Sequence, residues 1–164
     1  DEEPPHDGHR RNVLTPFHTS IGIGLAKTRD LAIPCMAQEL VDDYGGYEAL
    51  PERAKVGEVV AVRGRVRAPA TVAGVGVARV DPPKPMRPTE LNRTHAYAIP
   101  RPFATYFPRG YKTDIPLEVE ADRFRIDIPL SDQEKPGLYA ISVWARLPGI
   151  DDLLMISLRT IEVH

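Results

Sequence analysis

The sequence predicts a mainly β protein: an antiparallel, immunoglobulin-like β-sandwich preceded by a small helix–strand–strand segment. Three observations predict this fold. Runs beyond Val59 alternate apolar and charged residues, which is typical of half-buried strands. The 164 residues include 17 Pro and 12 Gly, a share well above average that disfavours long helices. With 42% hydrophobic and 27% charged residues, the composition is that of a globular chain.

The amino-terminal stretch predicts a short helix and then extended chain. Gly8 to Leu14 is polar and is followed by Pro16, so no more than two helical turns are expected there. Ser20 to Ala26 alternates small and branched residues, which predicts a buried strand whose glycines allow close approach of a neighbouring backbone. Residues 31–41 stay open between strand and helix, because helix-favouring residues follow Pro34.

Paired glycines and a proline suggest a boundary in the first third of the chain. Gly45, Gly46 and Pro51 interrupt every regular pattern around them. We therefore predict a first part in residues 1–46, a linker in 47–56 and a sandwich domain in 57–164.

Five runs after this linker predict strands. In residues 60–67 three valines and a glycine alternate with an alanine and three arginines, so one face is apolar and the other is cationic. In Arg123–Ile128 every even position is apolar and every odd one is charged. A slip of one residue in the second run would bury its charges, so the register is strongly specified. The other predicted strands lie in Thr71–Val80, Leu138–Leu147 and Asp152–Val163. Turns between such strands are typical of an antiparallel sandwich.

A proline-rich insertion at 81–116 interrupts this rhythm. Its prolines cannot donate to a central ladder, so much of it is expected to be loop or edge strand. Its aromatic residues are candidate ligand contacts, because they could stack on sugar rings or grip a peptide. The alternative, which we favour, is that the rings are buried against the sandwich. The aromatic residues are Tyr97, Phe103, Tyr106, Phe107 and Tyr111.

A second candidate feature is a stripe of arginines. Arg63, Arg65 and Arg67 share one face of a predicted strand, and Arg79 follows in the next run. They could attract an anionic ligand, but such a stripe is more often a solvated face that guards a strand edge. The near-zero net charge favours the second interpretation.

Composition excludes several classes of function. The formal charge is −2, from 21 Lys plus Arg and 23 Asp plus Glu, which argues against a dedicated nucleic-acid binder. The sequence contains no apolar run of the ~20 residues that a membrane span needs. Cys35 is the one cysteine, so neither an intrachain disulfide nor a cysteine-based zinc site can form, and a buried, inert thiol is expected.

The amino-terminal residues also resemble a known family. Gly8-His9-Arg10-Arg11-Asn12-Val13-Leu14 is followed by Pro16 and by Gly22-Ile23-Gly24-Leu25-Ala26. This segment resembles the carboxy-terminal part of the CAP superfamily, which includes cysteine-rich secretory proteins, insect antigen 5 proteins, plant pathogenesis-related proteins and bacterial SCP-like proteins. The family continues into a strand, which favours strand for residues 37–40 here. The likeness is confined to this first part of the chain.

The resemblance implies a location and a partial metal site. Family members are mostly non-enzymatic secreted proteins that bind lipids, sterols or protein partners. In the family two His and two acidic side chains can bind a divalent metal, and the His of the Gly-His element, here His9, is one of them. The other three residues belong to segments that precede this motif. We therefore expect no cofactor, with a divalent metal possible only where the rest of a CAP domain is present.

Together these observations predict a non-catalytic, secreted or cell-envelope protein whose sandwich is a binding or structural module for a protein or glycan partner. Two alternatives stay open. One is a carbohydrate-binding sandwich that uses the aromatic insertion. The other is a metal-dependent hydrolase centred on His9.

Overall fold

The computed structural model describes residues 7–27, 35–82, 84–93 and 99–164. The chain forms two compact units, Asp1–Tyr44 and Gly45–His164. No helix in these described ranges is long and apolar enough to cross a membrane.

The first unit contains a short helix and a two-stranded sheet. Helix α1 (Gly8–Val13) is followed by strands β1 (Ser20–Ala26) and β2 (Cys35–Val41), which pair antiparallel. The described residues of the ambiguous stretch 31–41 are therefore strand. Residues 31–34 lie outside the described ranges.

Two expectations about burial in this unit are wrong. Every residue of β1 is exposed, with Leu25 at 73%, because a two-stranded sheet has no second layer of its own to cover it. Cys35 is also exposed; it begins β2, where it pairs with Ala26.

The second unit is built from two sheets. The described part of this unit contains helix α2 (Pro88–Leu91) and the strands β3 (Gly45–Tyr47), β4 (Arg53–Ala54), β5 (Val59–Val66), β6 (Thr71–Val80), β7 (Ala104–Tyr106), β8 (Glu118–Glu120), β9 (Arg123–Pro129), β10 (Gly137–Arg146) and β11 (Leu154–Val163). One sheet has the order β4-β11-β10-β6-β7, and the other has the order β3-β5-β9-β8. The short β4 runs parallel to β11, and all the other neighbours are antiparallel.

Alternation along the strands places one face of each sheet in a shared core. In β9 every second side chain is buried and the intervening ones are exposed, as a period of two requires. The largest fully buried side chains are Tyr139, Leu117, Ile128, Leu130, Ile141, Ile161, Val62, Val75, Val77 and Val143. The Tyr47 hydroxyl of β3 donates to the Ile156 carbonyl of β11 at 3.1 Å, which joins the two sheets. The predicted fold class, a mainly β antiparallel sandwich after a small helix–strand–strand segment, is confirmed.

A glycine in the middle of β5 lets an aromatic ring lie against the backbone. Gly64 is paired with Phe124, which is 3% exposed. A Cβ on Gly64 would come within 2.8 Å of the Phe124 ring and 2.7 Å of the Gly46 carbonyl oxygen. No other residue type fits there without displacing β3 or the ring.

Segments that the sequence marks as irregular take part in the sheets. Within residues 47–56, Tyr47 ends β3 and Arg53–Ala54 forms β4. Within the insertion at 81–116, β7 forms an edge of the five-stranded sheet, as expected for a proline-rich segment.

Candidate binding surface

Four arginines lie together on the solvent-facing side of the four-stranded sheet. Strands β5 and β9 are the central strands of this sheet. Their register places Arg63 directly opposite Arg125 and Arg65 directly opposite Arg123. All four side chains point away from the core, because their neighbours Val62, Val66, Phe124 and Ile126 point into it. We call Arg63, Arg65, Arg123 and Arg125 the arginine face.

Acidic residues surround this face without neutralising it closely. On β8, Glu118 is opposite Arg125 and Glu120 is opposite Arg123. The nearest distance from Arg125 to Glu118 is 3.9 Å, and that from Arg63 to Glu48 is also 3.9 Å. Both exceed hydrogen-bond length, so these pairs leave guanidinium donors available.

Only one of the four arginines is held tightly by a carboxylate. The Nε and Nη2 of Arg65 donate to Asp122 at 2.9 and 2.6 Å, and this hydrogen bonding lowers the pKa of Asp122 below its usual value. Arg125 approaches Asp127 at 3.6 Å. Arg123 has no ion pair with any residue that the structure describes.

Placing like charges opposite each other on paired strands has an energetic cost. Opposed like-charged side chains destabilise a strand pair, by an amount comparable to the roughly 0.2–1 kcal/mol that favourable pairs contribute. The arginine face contains two such pairs, Arg63 with Arg125 and Arg65 with Arg123. In addition, the Nε of Arg63 is buried with no hydrogen-bond partner among the described residues. A ligand that brings carboxylates to this face would relieve the repulsion and supply acceptors.

The arginine face lines a concavity of about 770 Å³. This volume lies within the range of ligand sites in proteins. Besides the four arginines, the concavity is lined by Gly46, Tyr47, Glu48, Gly64, Glu118, Val119, Glu120 and Phe124. Its charged lining therefore comprises four arginines and three glutamates, with a cationic centre and an acidic rim.

The structure divides the arginine stripe that the sequence suggests. Arg79 lies in the other sheet, where its Nε donates to Asp132 and its Nη1 to Asp81, both at 2.8 Å. These bonds raise the pKa of Arg79. Arg63 is partly exposed and Arg65 is exposed, in agreement with a solvated face, but their strand β5 lies between β3 and β9 and is not an edge strand of its sheet. Arg123 and Arg125 complete the face. Their alternation was visible in the sequence, but their pairing with β5 was not.

The candidate aromatic residues occupy different environments. Tyr106 is buried at 6% exposure, and burial chiefly raises its pKa. Phe107 is half-buried, and its ring centroid lies 6.0 Å from that of the exposed Tyr111. Phe103, 42% exposed, makes an edge-to-face contact with Tyr139. Tyr97 lies outside the described residues. The described aromatic side chains are thus spread between core and surface.

His9 lies on α1 and is exposed. Within the described ranges, no group of three or more His, Cys, Asp or Glu side chains is placed to hold a metal ion. His6, which the sequence places near His9, lies outside those ranges.

Comparisons with known proteins give only a distant structural likeness. No family model matches the chain, and no curated protein matches it. Among solved structures, the chain is similar to one described as the swine CD8αα homodimer. The sequence identity is 18%, and the TM-score is 0.40, with 74% of this chain and 99% of that chain covered. A likeness at this level does not bear on what the protein does.

Proposed function

We propose that the sandwich unit is a non-catalytic protein-binding module and that its arginine face receives an acidic segment of a partner protein. The observation that carries this proposal is the pairing of Arg63 with Arg125 and of Arg65 with Arg123 on central strands. Guanidinium groups bind carboxylates through paired hydrogen bonds, so the donors of Arg63, Arg123 and Arg125, with those of Arg65 that Asp122 does not hold, suit a cluster of carboxylates.

The acidic rim favours a protein over a simple polyanion. Glu48, Glu118 and Glu120 border the concavity and would repel the outer charges of a uniformly anionic polymer. A protein surface can present acidic groups at its centre and basic groups around them, which would complement the cationic centre and the acidic rim of the concavity.

A peptide-binding measurement tests this proposal. The probe is a labelled peptide with four acidic residues flanked on both sides by lysines, and binding is followed by fluorescence anisotropy at low salt. We expect measurable binding that weakens as salt is added, because the interacting charges are exposed and screened. The variant Arg123→Gln/Arg125→Gln is expected to bind at least about tenfold more weakly, a loss of about 1.4 kcal/mol.

The matched control is Arg53→Gln/Arg146→Gln, which removes the same charge from exposed positions of the other sheet. Equal binding by the two double variants would contradict the proposal. Tighter binding to a sulfated polymer than to the flanked peptide would indicate that the partner is a glycan and not a protein.

We further propose, on the resemblance of Gly8–Ala26 to the CAP superfamily, that the first unit derives from a CAP-like domain of an exported protein. The order of α1, β1 and β2 supports this proposal. Detection of the native protein in the culture medium or cell envelope of its source would support export. Detection only in the cytoplasm would contradict it.

A further inference from the structure

The acidic residues around the arginine face leave it open in one direction. On β8, Glu118 and Glu120 each border one of the two arginine pairs. On β3, Glu48 borders one pair, since its amide donates to the Arg63 carbonyl at 3.1 Å. A ligand that lies across the strands therefore approaches a glutamate on β8, whichever arginine pair it contacts. A ligand that lies along β5 and β9 contacts both pairs without passing over a glutamate.

The two arginines of each pair lie close together. The Val66 amide donates to the Asp122 carbonyl at 2.7 Å, so the even-numbered residues of β5 direct their hydrogen-bonding groups toward β9. Arg63 and Arg65 therefore belong to pairs that exchange no hydrogen bonds, in which Cα atoms are about 4.5 Å apart instead of about 5.5 Å. At this separation both members of a pair can donate to one carboxylate. Asp122 holds the Nε and Nη2 of Arg65, so Arg123 supplies most donors of the second pair.

The spacing between the pairs matches that of an extended chain. The pairs are two residues apart along both strands, and a strand rises about 3.3–3.4 Å per residue, so they repeat at roughly 6.6–6.8 Å. In an extended ligand, side chains at alternate positions point to one face and repeat at the same distance. Side chains at adjacent positions point to opposite faces. Only one of two neighbouring carboxylates would then contact the arginines.

One end of the arginine face is acidic. Two residues beyond Arg125 on β9, Asp127 is exposed on the same side of the sheet, and its Oδ2 lies 3.6 Å from the Nη2 of Arg125. Ala61, the residue opposite Asp127 on β5, carries no charge. A third side chain of a segment along these strands would therefore meet a carboxylate. A basic side chain would be attracted at this position, and an acidic one would be repelled.

We infer that the arginine face recognises an extended acidic segment of a partner protein, with the pattern acidic-x-acidic-x-basic, lying along β5 and β9. This inference rests on the proposed function and specifies the spacing of the partner's charges. One carboxylate contacts the pair of Arg63 and Arg125, and the next contacts the other pair, chiefly through Arg123. The basic side chain contacts Asp127. The two intervening residues point away from the sheet.

Peptides of identical composition test the spacing. The alternating peptide is Thr-Asp-Thr-Asp-Thr-Lys-Thr, and the comparison peptide, Thr-Thr-Asp-Asp-Thr-Lys-Thr, has adjacent carboxylates. Binding to the full chain is followed at low salt through the NMR signals of the arginine Nε–H groups, which report weak binding and locate the contact. We expect the alternating peptide to bind at least about fivefold more tightly, because the comparison peptide engages only one arginine pair.

The outcomes separate the spacing from the proposed function. Equal affinities of the two peptides at the arginine face would overturn the spacing alone. The spacing alone would also be overturned if neither peptide bound while the lysine-flanked peptide with four acidic residues did. Failure of all three peptides to shift the arginine signals would overturn the proposed function as well. In Arg123→Gln/Arg125→Gln the alternating and comparison peptides are expected to bind alike, and a preference retained there would contradict the assigned contacts.

A further peptide tests the basic position. Thr-Asp-Thr-Asp-Thr-Thr-Thr lacks the lysine, and the wild-type chain is expected to bind it about threefold more weakly than the alternating peptide. This difference is expected to disappear in Asp127→Asn. It is expected to persist in the matched control Asp151→Asn, which changes an exposed residue between β10 and β11. A lysine preference that survives Asp127→Asn would overturn the assigned basic position.

Discussion

His18 connects helix α1 with the residue that follows β2, through both of its ring nitrogens. Its Nδ1 lies 2.7 Å from an Asp42 carboxylate oxygen, and its Nε2 lies 2.8 Å from the Asn12 carbonyl. Both partners accept hydrogen bonds, so the imidazolium form satisfies both at once. The hydrogen bond with Asp42 is the main reason that the pKa of His18 is raised above 6.5.

The raised pKa predicts how this histidine titrates. Because the folded state retains the proton where the unfolded state loses it, the contribution of His18 to stability is complete below pH 6.5. It is lost as the pH rises through the raised value. An NMR titration of the His18 ring is expected to give a midpoint above 6.5, and Asp42→Asn should lower it.

The control for this titration is Glu39→Gln, which removes a negative charge from an exposed position of β2, shortly before Asp42 in the sequence. Its midpoint is expected to stay near that of the wild-type protein. An equal shift in both variants would show that the overall charge, and not the contact with Asp42, sets the pKa of His18.

At the scale of one strand, the packing of β5 against the Phe124 ring requires a glycine at position 64. Gly64→Ala places a methyl group against the Phe124 ring and the Gly46 carbonyl. Overpacking of this kind costs about 1–3 kcal/mol, and we expect a loss of that size in the free energy of unfolding measured with urea.

The neighbouring glycine provides the comparison. Gly46 belongs to β3 and lies opposite Arg65 of β5. A Cβ added to Gly46 would meet no atom within 4 Å. Gly46→Ala is therefore expected to leave stability unchanged or slightly increased, because alanine restricts the unfolded chain. A Gly64→Ala protein as stable as the Gly46→Ala protein would contradict the close packing of Phe124.

Individual strands could be predicted from local sequence patterns more readily than the pairing between strands. The strict alternation of Arg123–Ile128 identifies both β9 and its buried face. Which strand lies beside which is decided by contacts between distant residues. The sequence therefore displayed the arginines of β5 and β9 separately but not the face that they form together.

The exposure of strands in the first unit is a second property that the local sequence pattern could not predict. Small and branched residues correctly predicted β1, but they could not show whether a second layer covers it. For the insertion at 81–116, the sequence likewise showed the aromatic residues, and its prolines predicted that it has no central strand. The depth of Tyr106 and the exposure of Tyr111 depend on how the insertion meets the sheets.

At the scale of the molecule, the second unit has a core of its own. Fully buried side chains come from both of its sheets, including Val62, Val75, Ile128 and Ile141. We therefore expect a chain of residues 45–164 to fold by itself and to unfold in urea in one cooperative transition. Circular dichroism and the fluorescence of Trp144 should give the same midpoint.

A core variant checks that this transition reports the sandwich. Ile141→Ala is expected to lower the free energy of unfolding by about 2–5 kcal/mol, because it leaves a cavity between the sheets. Midpoints that differ between the two probes, or an Ile141→Ala chain that unfolds like the parent, would contradict an independent sandwich core.

The exposed Cys35 has a practical consequence for studying the native chain. It is the single thiol of the sequence and belongs to the first unit, whereas the single indole, Trp144, belongs to the second. A dye attached to Cys35 would thus accept excitation energy from a single indole donor, Trp144. The efficiency of that transfer would measure the separation of the two units in solution without any engineered residue.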